Sequence, residues 1–162
     1  MDFHTTLDNQ TKWITAGVYA LFLGLICFTL FFDTFEIVPA IILLFILTVM
    51  TIATLYYKPK TIAIHDNEII IKRPIGNVIL KRTNITSIQI LKKNDLKWSV
   101  RTFGIGGFFG YYGAFWNKKY GTMTWYLTRR NAMIMISTIS NSKILISPDQ
   151  VDLFVTTYQK KD

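Results

Sequence analysis

The chain has 162 residues, of which 51% are hydrophobic and 15% aromatic, yet its formal net charge is +8. That length supports one domain of roughly 100 residues beside a smaller element. Cys27, the single cysteine, excludes an internal disulfide and a cysteine metal cluster.

Residues 1–12 (MDFHTTLDNQTK) read as a polar, solvated cytoplasmic tail with Phe3 and Leu7 at the interface. The run is no secretory signal, because it lacks a basic start and a small-residue cleavage site. From Trp13 to Tyr57 the chain changes character. No charged residue lies between Lys12 and Asp33, and none between Glu36 and Lys58. Each gap is about 20 residues, the length a helix needs to cross roughly 30 Å of hydrocarbon. Residues 13–57 are therefore expected to form a two-helix transmembrane hairpin that turns at Asp33–Glu36. So short a chain could not cover two helices that are apolar on every face, which excludes a soluble helical core.

Charge sets the expected orientation. All of the 18 basic residues except Lys12 lie from Lys58 onward, and the turn at 33–36 has none. The positive-inside rule then keeps both termini in the cytoplasm. Trp13, Tyr19, Tyr56 and Tyr57 suit headgroup depth, and Lys58-Pro59-Lys60 ends the second helix. Gly17 and Gly24 are seven apart, a weak packing signal. Cys27 is expected to be a buried small hydrophobe. With no ionisable group in mid-span, the hairpin reads as an anchor rather than an ion pathway.

After Lys60 the hydrophobic period becomes two, as in Ile62/Ile64, Ile69/Ile71, Val78/Leu80, Ile88/Ile90, Trp98/Val100, Trp125/Leu127, Met133/Met135 and Ile144/Ile146. Turn signals separate these pairs, so residues 58–162 predict about seven antiparallel strands in a barrel or sandwich. The class is α+β. Ser147-Pro148-Asp149-Gln150 predicts a helix start with Ser147 as cap. Val151, Phe154, Val155 and Tyr158 give one apolar stripe, with Lys160 and Lys161 at the negative end.

Between two strands, Arg101 to Gly121 holds six glycines and eight aromatic residues. Such a run predicts a folded aromatic Ω-like loop. Its glycines do not follow GxGxxG spacing, and no βαβ unit surrounds them, so a nucleotide site is not indicated. Two readings remain open. The loop packs against the barrel as core, or Phe108, Phe109, Tyr111, Tyr112, Phe115 and Trp116 dip into the cytoplasmic leaflet. In the second case Lys118, Lys119, Arg129 and Arg130 meet lipid phosphates. Paired basic residues at turns also fit a solvated rim that blunts edge strands.

The segments Arg101-Thr-Phe-Gly-Ile-Gly-Gly, Gly110 with Tyr111 to Phe115, Gly121 to Arg130 and Ile144-Leu-Ile-Ser-Pro148 resemble the bacterial PH-domain family of membrane-associated proteins. The resemblance covers roughly Pro59 to Tyr158. It implies a PH-like fold capped by a C-terminal helix in a bacterial membrane protein, and implies no activity. The lysine and arginine pattern with which eukaryotic PH domains bind phosphoinositides is not recognisable. His4 and His65 stand alone, and no nucleophile or carboxylate pair is readable, so neither an enzyme nor a cofactor is expected. No helix-turn-helix or RNP motif points to nucleic acid. The expected partners are the lipid bilayer, its anionic headgroups or another membrane protein. A scaffold or adaptor at the membrane surface is the first reading, and an accessory subunit of a transporter or enzyme complex is the alternative.

Overall fold

The computed structural model describes residues 1–31 and 37–160. The expected turn at Asp33–Glu36 and the helix-end Lys161 lie outside them. Helix α1 (Asn9–Phe31) and helix α2 (Ile37–Tyr57) are both long and apolar enough to cross a membrane, and only 6% and 17% of their most apolar windows are buried. A soluble core helix would hide most of that surface. Their contact is narrow and made by small or hydroxyl side chains. Ala40, Leu47 and Thr54 are buried on α2, seven residues apart, while the buried Thr11 and Thr15 of α1 meet the rest of the chain, at the Thr128 carbonyl and the Phe109 N–H. The Tyr19 hydroxyl meets Thr51 Oγ1 at 2.8 Å. Thr48, Thr51 and Thr54 satisfy their hydroxyls on the carbonyls four residues back. Gly17 and Gly24 take no part, since a Cβ on either would meet nothing within 4 Å. Cys27 is exposed on the surface of α1 rather than packed within the protein.

The rest of the chain forms two sheets. The first has four strands in the order β1 (Asp2–His4), β2 (Thr61–Ile64), β3 (Glu68–Lys72) and β4 (Val78–Lys81). The second has six: β5 (Ile85–Lys92), β9 (Ala132–Thr138), β10 (Lys143–Ile146), β8 (Gly121–Leu127), β7 (Tyr111–Asn117) and β6 (Val100–Gly106), neighbours in that order. The sheets do not close into a barrel; they make a sandwich capped by α3 (Val151–Lys160). Among the described residues nine strands follow Lys60 rather than about seven, and β8 pairs with β10 in parallel within an otherwise antiparallel arrangement.

Alternation along the second sheet feeds two cores. Ile134, Ile136 and Ile146 face the first sheet, where they join Phe3, Ile62, Ile64, Ile69, Ile71 and Phe154. Met133, Met135 and Leu145 point the other way and pack with Leu91, Leu96, Tyr111, Phe115, Met123, Trp125 and Leu127. The stripe on α3 buries as its spacing requires, with Phe154 fully buried and Val155 and Tyr158 packed beside it.

The start of α3 is displaced from Ser147 to Val151, because the expected cap has other partners. Ser147 is buried and its Oγ accepts the Thr128 N–H at 2.9 Å. Asp149 Oδ1 accepts both the N–H and the hydroxyl of Thr6, at 2.9 and 2.8 Å. The Gln150 carbonyl accepts the first helical N–H, from Phe154.

Nor is the N-terminal segment a solvated tail. Asp2, Phe3 and His4 pair with Ala63, Ile62 and Thr61 as an edge strand. Phe3 is 3% exposed, edge-on to Phe154 with ring centroids 5.0 Å apart. The N-terminal amine donates to the Ile64 carbonyl at 2.8 Å, and Thr5 Oγ1 to the Pro59 carbonyl at 2.7 Å. Asp2 accepts Lys72 Nζ at 2.8 Å, and that hydrogen bond holds its carboxyl below the usual range. Asp8 then caps α1 by accepting the Thr11 N–H at 2.8 Å, while its other oxygen takes the Arg130 N–H at 3.1 Å. Both ends of the helical pair are thereby fastened to the sandwich.

Candidate functional site

The glycine-aromatic stretch is a β-hairpin, β6 and β7, rather than an Ω-loop. Two of its glycines make the pairing possible. Gly104 and Gly113 are cross-strand partners with φ of 109° and 118°. A Cβ would lie 2.1 Å from the Tyr112 carbonyl oxygen at Gly104, and 2.4 Å from that of Phe103 at Gly113. Only hydrogen fits at either place.

The tip of this hairpin docks on α1. The Phe109 N–H donates to Thr15 Oγ1 at 2.9 Å, and that hydroxyl donates in turn to the Thr11 carbonyl at 2.8 Å. The Phe108 ring lies 5.7 Å from Tyr19, Phe109 lies 6.3 Å from it, and the two rings are 5.0 Å apart. Phe109 has a left-handed φ of 54°, which lets successive rings turn toward the same helix. Tyr112 closes the tip by donating its hydroxyl to the Phe109 carbonyl, and burial pushes that phenol well above its usual range, so it stays a donor. Replacing Thr15 with valine removes the acceptor and leaves a part-buried N–H unpaired. The expected cost is about 1–3 kcal/mol, seen as faster hydrogen exchange at the Phe109 amide.

Cross-strand partners share a sheet face. On one face Tyr111 and Phe115 are buried around Trp125, with Phe115 stacked on it at 3.9 Å and 8°. On the other face Tyr112 pairs with Ile105 and Tyr126, Ala114 with Phe103, and Trp116 with Val100. Toward the hairpin tip this second face meets the end of α2. There a groove of about 380 Å³ is walled by Ala53 and Tyr57 of the helix and by Phe103, Ile105, Tyr112 and Tyr126 of the sheet, with Arg73 beside it. Farther from the tip the face is open: Val100 is 58%, Phe103 79% and Trp116 44% exposed.

Arg73 belongs to the β3–β4 turn, which caps α2 through the Ile75 N–H and the Tyr56 carbonyl, 3.3 Å apart. Its guanidinium carbon sits 5.9 Å from the Tyr57 ring centre and 5.1 Å from that of Tyr126. Its Nε donates to the Gly76 carbonyl at 3.1 Å. The sequence offers Arg73 only as half of the basic pair Lys72-Arg73 at a strand end; its place depends on the turn folding back onto α2. Lys58, one residue past that helix, has its ammonium pKa lowered by desolvation.

The remaining residues expected to meet lipid divide sharply. Lys118 and Lys119 are exposed on the β7–β8 turn, with Lys119 Nζ 5.0 Å from the centre of the Tyr120 ring. Arg129 and Arg130 are half-buried and already engaged by partners within the protein. Arg129 donates to the Pro148 carbonyl and pairs with Asp149 at 3.2 Å. Arg130 lies over Tyr111 and Trp125 at 5.3 and 5.4 Å. Tyr111 and Phe115 are likewise core residues, and Tyr112 is 4% exposed. Of the expected set, Phe108 and Phe109 touch α1, while Trp116, Lys118 and Lys119 remain at the surface.

Residues 60–162 match the family model described as a bacterial PH domain. The chain belongs to that family. In this bacterial PH domain the matched stretch begins just after α2, so β1 and its Phe3 reach the core from outside it. No curated protein and no solved structure matches the chain.

Proposed function

We propose that the chain is a non-enzymatic, membrane-anchored scaffold or adaptor whose PH-like domain lies on the cytoplasmic leaflet of a bacterial cell membrane. One observation carries this reading. The open aromatic face of β6–β8 is continuous with the surface of α2 at Ala53 and Tyr57, so a bilayer crossed by α2 also meets Phe103. Phe108 and Phe109 pack on Tyr19, six residues and about 9 Å along α1 from Trp13 at 1.5 Å per residue. That is the depth of the headgroup and upper acyl region, where exposed aromatic rings are stable.

Other features support the same placement. Lys118 and Lys119 extend from the end of β7, and each exposed cation near an anionic leaflet contributes about 1 kcal/mol. β1 pairs with β2 across both helices, which supports a common side for the N-terminus and the domain. The basic excess after Lys58 supports the cytoplasm as that side. A non-catalytic role accords with what PH domains generally do.

Spin labels test the placement in liposomes, with Cys27→Ser as background. A label at Phe103→Cys is expected to be relaxed by oxygen and shielded from an aqueous nickel chelate. A label at Ile139, at the far end of β9 and 69% exposed, shows the reverse. An aqueous signature at both positions would remove the leaflet-lying reading.

A further inference from the structure

We infer that the groove between α2 and the β6–β8 face is a binding site for one anionic phospholipid, its phosphate on Arg73 and one acyl chain along Ala53 and Ile105. The inference rests on the leaflet-lying reading, because it needs the groove to open at headgroup depth.

Three observations converge on that occupant. The walls are apolar or aromatic apart from Arg73, and no carboxylate lines them. At about 380 Å³ the space is near the lower end of small-molecule sites, enough for the upper part of one chain and too little for a whole lipid. The cation is also pre-set. Nε is held by the Gly76 carbonyl and the guanidinium is bracketed by Tyr57 and Tyr126, which leaves the two terminal nitrogens without an acceptor among the described residues. A planar fork so placed matches two phosphate oxygens, a pairing that lysine cannot reproduce.

Depth decides between a lipid and a soluble ligand. Ala53 lies four residues inside Tyr57 on α2, about 6 Å toward mid-span. One wall of the groove therefore belongs to the helix that crosses the bilayer, while Arg73 sits in the turn that caps its end. A molecule that spans both must be apolar at the deep end and anionic at the shallow end.

Native mass spectrometry of the full chain, released from mild detergent after incubation with phosphatidylglycerol or phosphatidylcholine, reads the site directly. One retained phosphatidylglycerol per chain is expected, favoured about tenfold over phosphatidylcholine, because both offer a phosphate but the choline cation opposes the Arg73 guanidinium beside it. Arg73→Gln should bring that preference close to unity. Ala53→Phe should reduce retention of both lipids by filling the chain space. Arg73→Lys should fall between wild type and Arg73→Gln, a graded result that does not depend on Ala53→Phe folding. Absence of a retained lipid on the wild type, or an unchanged preference in Arg73→Gln, overturns the site. Either result leaves the spin-label depths at Phe103 and Ile139 to judge the placement on its own.

Discussion

Phe3→Ala lowers the stability of the sandwich by about 3–5 kcal/mol, the range for truncating a fully packed aromatic side chain. The size follows from the surroundings of Phe3. It is 3% exposed, edge-on to Phe154, and within the cluster that joins the first sheet, the second sheet and α3. Its strand is only three residues long, so little else compensates once the ring is gone. Chemical unfolding of the full chain in micelles, followed by near-ultraviolet circular dichroism, gives the value. A loss below about 1 kcal/mol would mean that the segment rests on the core without completing it. The same packing predicts that a fragment starting at Lys58 is much less stable than the full chain. It lacks both the ring and the strand that covers the edge of β2.

Gly104→Val is expected to be nearly as damaging, and to act on a different part of the molecule. A Cβ there lies 2.1 Å from a backbone oxygen, and valine is strongly disfavoured at a φ of 109°. Strained backbone costs about 1–3 kcal/mol per residue, and separating the strands adds the lost packing of the hairpin tip on Tyr19. The variant should lose hydrogen-exchange protection at Phe109 and Tyr112, while Ile134 and Ile146, in the other core, keep theirs. Gly106→Ala is the control. Its Cβ would approach only the flexible Arg101 side chain, no closer than 3.4 Å, and a change within about 1 kcal/mol is expected. Equal effects from the two substitutions would show that the Gly104–Gly113 approach is not what shapes the hairpin.

The helical pair was legible because charge-free runs of that length have one physical solution. The stripe on α3 was legible for a similar reason: Val151, Phe154, Val155 and Tyr158 can share a face only in a helix. Local preference failed where a distant partner intervened. Ser147 is a good cap by its local sequence, but Thr128 and the core around it claim the hydroxyl. Arg129 and Arg130 look like surface cations until Pro148, Asp149 and two aromatic rings are brought against them.

The β6–β7 hairpin was misread because its aromatic residues fall on both faces, which hides the period of two. One face packs on Trp125 and the other on α2, so both needed large apolar side chains. The expected Trp98/Val100 alternation also broke. Trp98 adopts a φ of 61°, is 91% exposed, and lies outside the strand that begins at Val100. The strand at Asp2–His4 had no signal at all, since three residues with one apolar position are too few to show a period. Arg73 was legible only as half of the basic pair Lys72-Arg73, because its aromatic neighbours in space come from α2 and β8.

The pairing of β1 with β2 imposes an order of events on synthesis. β1 leaves the ribosome first, but the strand it needs emerges only after both hydrophobic helices have been made. Until then Phe3 has no core to enter. A chain that inserts only one helix, or the pair in the reverse sense with a late domain left behind, would place β1 and β2 on opposite sides of the bilayer. That product keeps an open sheet edge and an unfilled site beside Phe154, the features that quality-control proteases recognise in incompletely folded chains. Phe3 and β1 can therefore close the first sheet only after both helices and β2 have been made.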